Sequence, residues 1–157
     1  MSEQEQAVFT IEKVYVKDAS LEIPNAPQIF LEEAAPQMEV NVHTGAQALP
    51  QEGLFETVLT VTVTAKAAEK TVFLVEIAQA GIFQIRNIPE QEIGPVLAVA
   101  CPSMLLPYAR EAVSSMITRA GFPPVMLHHM NFEALYQQRQ QELKAQQQAP
   151  ASAPSSN

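Results

Sequence analysis

Cys101 is the one cysteine in the chain and its one possible thiol nucleophile. It ends the apolar run 96–101, directly before Pro102. A thiol in such a setting is a small buried hydrophobe with a raised pKa, not a poised thiolate. His128 and His129 are the obvious bases, but nothing in the spacing brings them to Cys101. As a metal pair they are also weak. Neighbours in an extended segment point apart, and no second ligand pair follows at a zinc spacing. The 5 glycines form no phosphate-cradling loop, and no Gly-x-Ser-x-Gly or His-Glu-x-x-His pattern occurs. These residues offer no enzyme, metal or cofactor chemistry. Two features remain. The acids Asp18, Glu22 and Glu76 sit among strand-like residues, where charges usually serve solvation alone. The connector Phe122-Pro123-Pro124-Val125-Met126-Leu127 is apolar and broken by prolines, and is either cover for the core or one wall of a binding groove. Composition alone favours core cover.

The elements around these residues change type midway. Residues 7–18 are rich in β-branched and aromatic side chains and read as a strand, broken by Leu21-Glu22-Ile23-Pro24-Asn25-Ala26-Pro27 because proline lacks a ladder donor. Met38, Val40 and Val42 alternate with Glu39, Asn41 and His43. Thr57, Leu59, Val61 and Val63 point one way, while Glu56, Val58, Thr60, Thr62 and Thr64 point the other. Residues 65–70 read as a hairpin connection. The strand 71–85 is apolar on both faces: Phe73, Val75 and Ile77 on one, Val72, Leu74 and Ala78 around Glu76 on the other. Such a strand is expected to be covered by helices on one side and by another subunit on the other, unless Leu74 beside Glu76 forms an exposed mixed docking spot. From residue 90 the periodicity is helical, with a first helix stopped at Pro102 and a second capped by Ser103. The second carries the stripe Leu105, Ala109, Ala112, Val113, Met116 and Ala120, and Gly121 stops it. Asn131 caps a last helix running to about residue 147. Four strands followed by helices make an α+β fold: a four-stranded antiparallel sheet from the N-terminal half, covered by C-terminal helices. Residues 1–6 read as a flexible N-terminus, 7–147 as a single domain and 148–157 as a disordered tail.

Composition narrows the function. At 157 residues the chain can bury about 70% of its unfolded surface and needs no disulfide or metal to fold. Hydrophobic residues make up 47% and charged ones only 17%, so part of the apolar surface is expected to be covered by a subunit or a ligand. There are 17 acids against 9 bases, a net charge of -8, and the whole excess lies in the first 69 residues. That argues against nucleic-acid binding and for basic partners. The polar, acidic N-terminus is unlike a signal peptide, and the longest apolar run is too short to span a bilayer, so a soluble cytoplasmic protein is expected.

Several long motifs together resemble the bacterial protein-export chaperone family SecB. They are Tyr15-Val16-Lys17-Asp18-Ala19-Ser20-Leu21-Glu22-Ile23-Pro24-Asn25-Ala26-Pro27, Thr60-Val61-Thr62-Val63-Thr64, Cys101-Pro102-Ser103-Met104-Leu105-Leu106-Pro107-Tyr108-Ala109-Arg110-Glu111, and Gly121-Phe122-Pro123-Pro124 with Asn131-Phe132. The resemblance covers about residues 7–145. It implies a cytoplasmic homotetramer, a dimer of dimers. The tetramer would hold unfolded precursors of exported proteins and deliver them to the translocation ATPase SecA, with no enzymatic activity or cofactor of its own. It implies further that Asp18, Glu22, Leu74 and Glu76 dock the zinc-bearing, basic C-terminal tail of SecA. Val75, Ile77 and Gln79 would serve tetramer integrity and client handling, and Phe122, Leu127, Phe132 and Leu135 would line the client groove. Ala80-Gly81 stands where a Gly-Gly pair is common in the family, a change expected to leave the strand intact. The competing expectation from composition is an α+β domain enclosing one small-ligand pocket, with no affinity for polypeptide.

Overall fold

The computed structural model of the chain describes residues 6–33 and 35–148. The flexible N-terminus expected at residues 1–6 and the disordered tail expected at 148–157 lie outside them except for Gln6 and Gln148. Four strands, β1 (Val8–Glu22), β2 (Gln37–Ala48), β3 (Leu54–Ala67) and β4 (Lys70–Arg86), form one antiparallel sheet in the order β1-β4-β3-β2. Strands β2, β3 and β4 follow one another as hairpins. The β3–β4 turn is made by Ala68 and Glu69, both at positive φ (49° and 66°), the conformation that matches the twist of a two-residue hairpin.

Strand β1 pairs with β4 and not with its sequence neighbour β2, so the chain must travel from one edge of the sheet to the other. The crossover after β1 does this around the end of the β3–β4 hairpin. Asn25 Nδ2 donates to the Thr71 carbonyl at 2.9 Å, and Lys70 pairs with Glu32 at 3.1 Å, tying the crossover to the first residues of β4. A 3-10 turn at Gln28–Leu31 buries Ile29 along the way.

The two faces of the sheet differ as the alternation in β3 requires. Leu59, Val61, Val63 and Ala65 are fully buried on the inner face, as are Phe73 and Val75 of β4. This face is covered by α2 (Cys101–Arg119), whose Leu105, Ala109, Val113 and Ile117 form a buried stripe at four-residue spacing. Gly81 of β4 allows the close approach. A Cβ there would lie 2.9 Å from the Phe83 ring and 3.0 Å from the Leu105 side chain. The neighbouring Ala80 is buried within an unbroken strand.

Pro102 does not stop the helix, contrary to the sequence expectation. Helix α1 (Glu90–Pro95) runs through a π turn (Val96–Ala100) into α2. The wider turn leaves room for the proline ring, and the helix continues without the one ladder bond that Pro102 cannot donate. Ser103 is therefore not a cap, and its hydroxyl donates to the Val99 carbonyl at 2.6 Å inside the continuous helix. By length and hydropathy alone Glu90–Arg119 could cross a membrane; the buried stripe of its α2 part packs on the sheet. Gly121 (φ 91°) ends it with the Phe122 N–H on the Ile117 carbonyl and the Gly121 N–H on Thr118, a Schellman closure. An extended connector leads to α3 (Phe132–Gln148), where Asn131 Oδ1 accepts from the Ala134 N–H at 3.0 Å as the cap.

Candidate functional site

Among the described residues the outer face of the sheet carries no helix, and its residues fall into cross-strand rows. Glu22, Leu74, Thr64 and Glu39 form one row. Ser20, Glu76, Thr62 and Asn41 form the next, and Asp18, Ala78, Thr60 and His43 the third. Asp18, Glu22, Leu74 and Glu76, far apart in sequence, therefore share one patch of one face. Glu76 is exposed and accepts a hydrogen bond from Thr62 Oγ1 at 3.0 Å. Leu74 is half-buried between carboxylates, giving the patch one apolar centre. A bulge between Val16 and Asp18 turns β1 locally, so Asp18 returns to the outer face opposite Ala78.

Farther along the same face lies a second polar cluster that the sequence did not single out. Glu56 accepts from Tyr15 Oη, from Lys17 Nζ at 2.8 Å and from Gln47 Nε2 at 3.0 Å, joining β1, β2 and β3 across β4, where Ala80 and Ile82 stand opposite Tyr15 and Glu56. The Lys17 ammonium and the Tyr15 hydroxyl hold the Glu56 carboxyl below its ordinary pKa. Burial, reinforced by the Glu56 carboxylate, pushes the Tyr15 hydroxyl up to about 12.

Val75, Ile77 and Gln79 alternate with the docking candidates and point inward. Val75 and Ile77 are buried in the core, and Gln79 donates its Nε2 to the Tyr15 carbonyl at 3.1 Å. The four groove candidates separate. Phe122 lines a cavity of about 430 Å³ between the crossover, β2 and the connector, together with Phe30, Met38, Val72, Phe73 and Val125. Its ring stacks on Phe30 at 5.1 Å and meets Phe73 at 5.0 Å. Gly121 matters here as well, since a Cβ would stand 3.1 Å from the Phe30 ring. Leu127 and Phe132 are buried in the core, at 4% and 3% exposure. Phe132 also borders, with the exposed Leu135, a second depression of about 390 Å³ between α3 and β2. Phe30 and Met38, which line the first cavity, Val40 farther along β2 and Leu31 on the crossover, all exposed apolar residues, were missed by sequence reasoning. Their one signal was the Phe30-Leu31 pair inside a proline-broken loop.

Cys101 is fully buried, and burial pushes its thiol up to about 11, so it is no nucleophile at neutral pH. Among the described residues no three His, Cys, Asp or Glu side chains are arranged to hold a metal.

Comparison with known proteins agrees over nearly the whole chain. The family described as preprotein translocase subunit SecB matches residues 2–143. The protein-export protein SecB of Dechloromonas aromatica is 58% identical over 154 residues, covering 98% of this chain and 99% of that one. That of Chromobacterium violaceum is 62% identical over 148 residues, covering 92% and 98%. Among solved structures, a SecB-like chaperone of Mycobacterium tuberculosis in complex with an antitoxin peptide superposes with a TM-score of 0.65. It is 17% identical and covers 78% of this chain and 91% of that one, a likeness of fold.

Proposed function

We propose, since this chain belongs to the SecB family, that it holds unfolded precursors of exported proteins in the apolar groove and passes them to SecA from the opposite face of the sheet. The family is one of protein-export chaperones, not of enzymes, and binding of substrate polypeptide goes with it. Membership also removes the small-ligand domain as a competing reading. The observation that carries the proposal is the division of one sheet. An aromatic, partly open cavity lies on the inner side at Phe30, Phe73 and Phe122, and an uncovered acidic patch lies on the outer side. Non-native chains expose apolar segments, and such a cavity takes them by burial, worth about 25 cal/mol per Å², without reading sequence.

On this proposal Asp18, Glu22, Leu74 and Glu76 dock the basic, zinc-bearing tail of SecA. The carboxylates supply steering and Leu74 supplies an apolar contact. Phe122 and Leu135 contact the client directly. Leu127 and Phe132 act from beneath, by fixing the connector and α3. Val75, Ile77 and Gln79 serve assembly by setting how α2 and β1 sit on the sheet. The working form is a cytoplasmic homotetramer, a dimer of dimers. Val16 on the edge strand and Met104 and Tyr108 on α2, all exposed in the single chain, support that assembly. Replacing Glu22 or Glu76 by Lys should weaken binding of SecA while leaving suppression of client aggregation near normal, and SecA binding should weaken with salt. Equal loss of both activities in one variant would overturn the separation of the two faces.

A further inference from the structure

On the reading that the outer face docks SecA, we infer that Thr62 is the positioning residue for the Glu76 carboxylate. Glu76 lies on β4 between Ser20 of β1 and Thr62 of β3, and among the described residues it is Thr62 that bonds it, Oγ1 to Oε2 at 3.0 Å. An exposed glutamate samples many rotamers, whereas a β-branched threonine on a strand has few. The hydroxyl therefore selects one arrangement of the longer side chain and leaves Oε1 free for an incoming cation. It also draws the charge toward β3 and away from Asp18 and Glu22. Adjacent strands lie about 4.8 Å apart, so the patch presents carboxylates from the neighbouring β1 and β4, spaced for separate basic side chains of an extended segment. Thr60 and Thr64, in the same ladder, face Ala78 and Leu74, and neither makes a side-chain hydrogen bond among the described residues. Neither hydroxyl bonds a carboxylate, although Thr64 stands opposite Glu39 of β2.

The test is calorimetric titration of the full-length protein with the zinc-loaded C-terminal tail peptide of SecA. Ordering one rotamer-rich side chain before binding is worth about a three- to fivefold change in affinity. Thr62→Val, which keeps the shape and removes the hydroxyl, should weaken binding by that factor. Thr62→Ser should restore affinity to within about twofold of the parent, and Thr64→Val should not change it. In a Glu76→Gln background Thr62→Val should cause no further loss. A Thr62→Val effect that persists undiminished beside Glu76→Gln would overturn the inference, as would wild-type affinity in Thr62→Val while Glu76→Gln binds poorly. Unchanged affinity in both Glu22→Gln and Glu76→Gln would instead overturn the docking site itself. Matching urea midpoints for Thr62→Val and Thr64→Val separate positioning from a general loss of fold.

Discussion

Replacing Glu56 by Gln should destabilise the fold more than removing any one of its partners. The carboxylate accepts three side-chain hydrogen bonds and is 8% exposed, so its loss leaves the Lys17 ammonium and the Tyr15 hydroxyl facing a weaker acceptor. The Lys17 side chain is 48% exposed, which limits its share to about 1 kcal/mol or less. The Tyr15 and Gln47 bonds to a charged acceptor add about 1 kcal/mol more after the same allowance for solvent. The expected cost is therefore about 2 kcal/mol, or about 4–8 °C in Tm for a chain of this size. Lys17→Met should cost about half as much, and Tyr15→Phe no more than Lys17→Met. The pH dependence has a definite sign. Glu56 ionises more readily folded than unfolded, so its contribution is complete above the unfolded value of about 4.3 and is lost as pH falls through the lower folded value. Tyr15 works in the opposite direction. Its folded value of about 12 exceeds the unfolded value of about 10, so stability present below pH 10 falls as pH rises toward 12. Urea unfolding followed by circular dichroism, at one chain concentration because assembly contributes to stability, measures all of this. A Glu56→Gln protein with unchanged midpoint and an unchanged acid limb would refute the reasoning, as would Lys17→Met costing as much as Glu56→Gln.

Two further outcomes follow from packing. Gly81→Ala should cost about 1–3 kcal/mol in the same unfolding assay, because its Cβ would press on Phe83 and Leu105 where the helix meets the sheet; an unchanged midpoint would show that α2 can give way. Phe30→Ala removes an aromatic that is 46% exposed at the cavity. If a client covers the open part, about 80 Å² of contact worth about 2 kcal/mol is lost. Affinity for an unfolded polypeptide should then fall about tenfold or more, with SecA-tail binding unchanged, both read by titration.

The sheet was legible because period-two alternation is a direct consequence of strand geometry. Thr57, Leu59, Val61 and Val63 point inward as the pattern requires. Strand order was not legible, because β1 pairs with β4 through a crossover whose anchors, Asn25 to Thr71 and Glu32 to Lys70, are individual polar contacts with no periodic signature. The helix stop misplaced at Pro102 has a comparable cause. A π turn relieves the clash that makes proline a breaker, and nothing in local composition announces it. In the candidate site, the common face of Asp18, Glu22, Leu74 and Glu76 came with the family resemblance, and the register of β1 on β4 supplies its geometry. The Glu56 cluster stayed hidden because its members come from three strands separated by up to 41 positions. Phe30 and Met38 stayed hidden because a groove is a product of tertiary packing.

The central claim is that this chain assembles and holds unfolded polypeptide. Its most direct test is the solution mass by light scattering, alone and after mixing with an unfolded, slow-folding polypeptide. The expected result is a mass near four chains that rises with the unfolded polypeptide and stays constant with the same polypeptide folded. A monomer whose mass ignores the unfolded chain would contradict it.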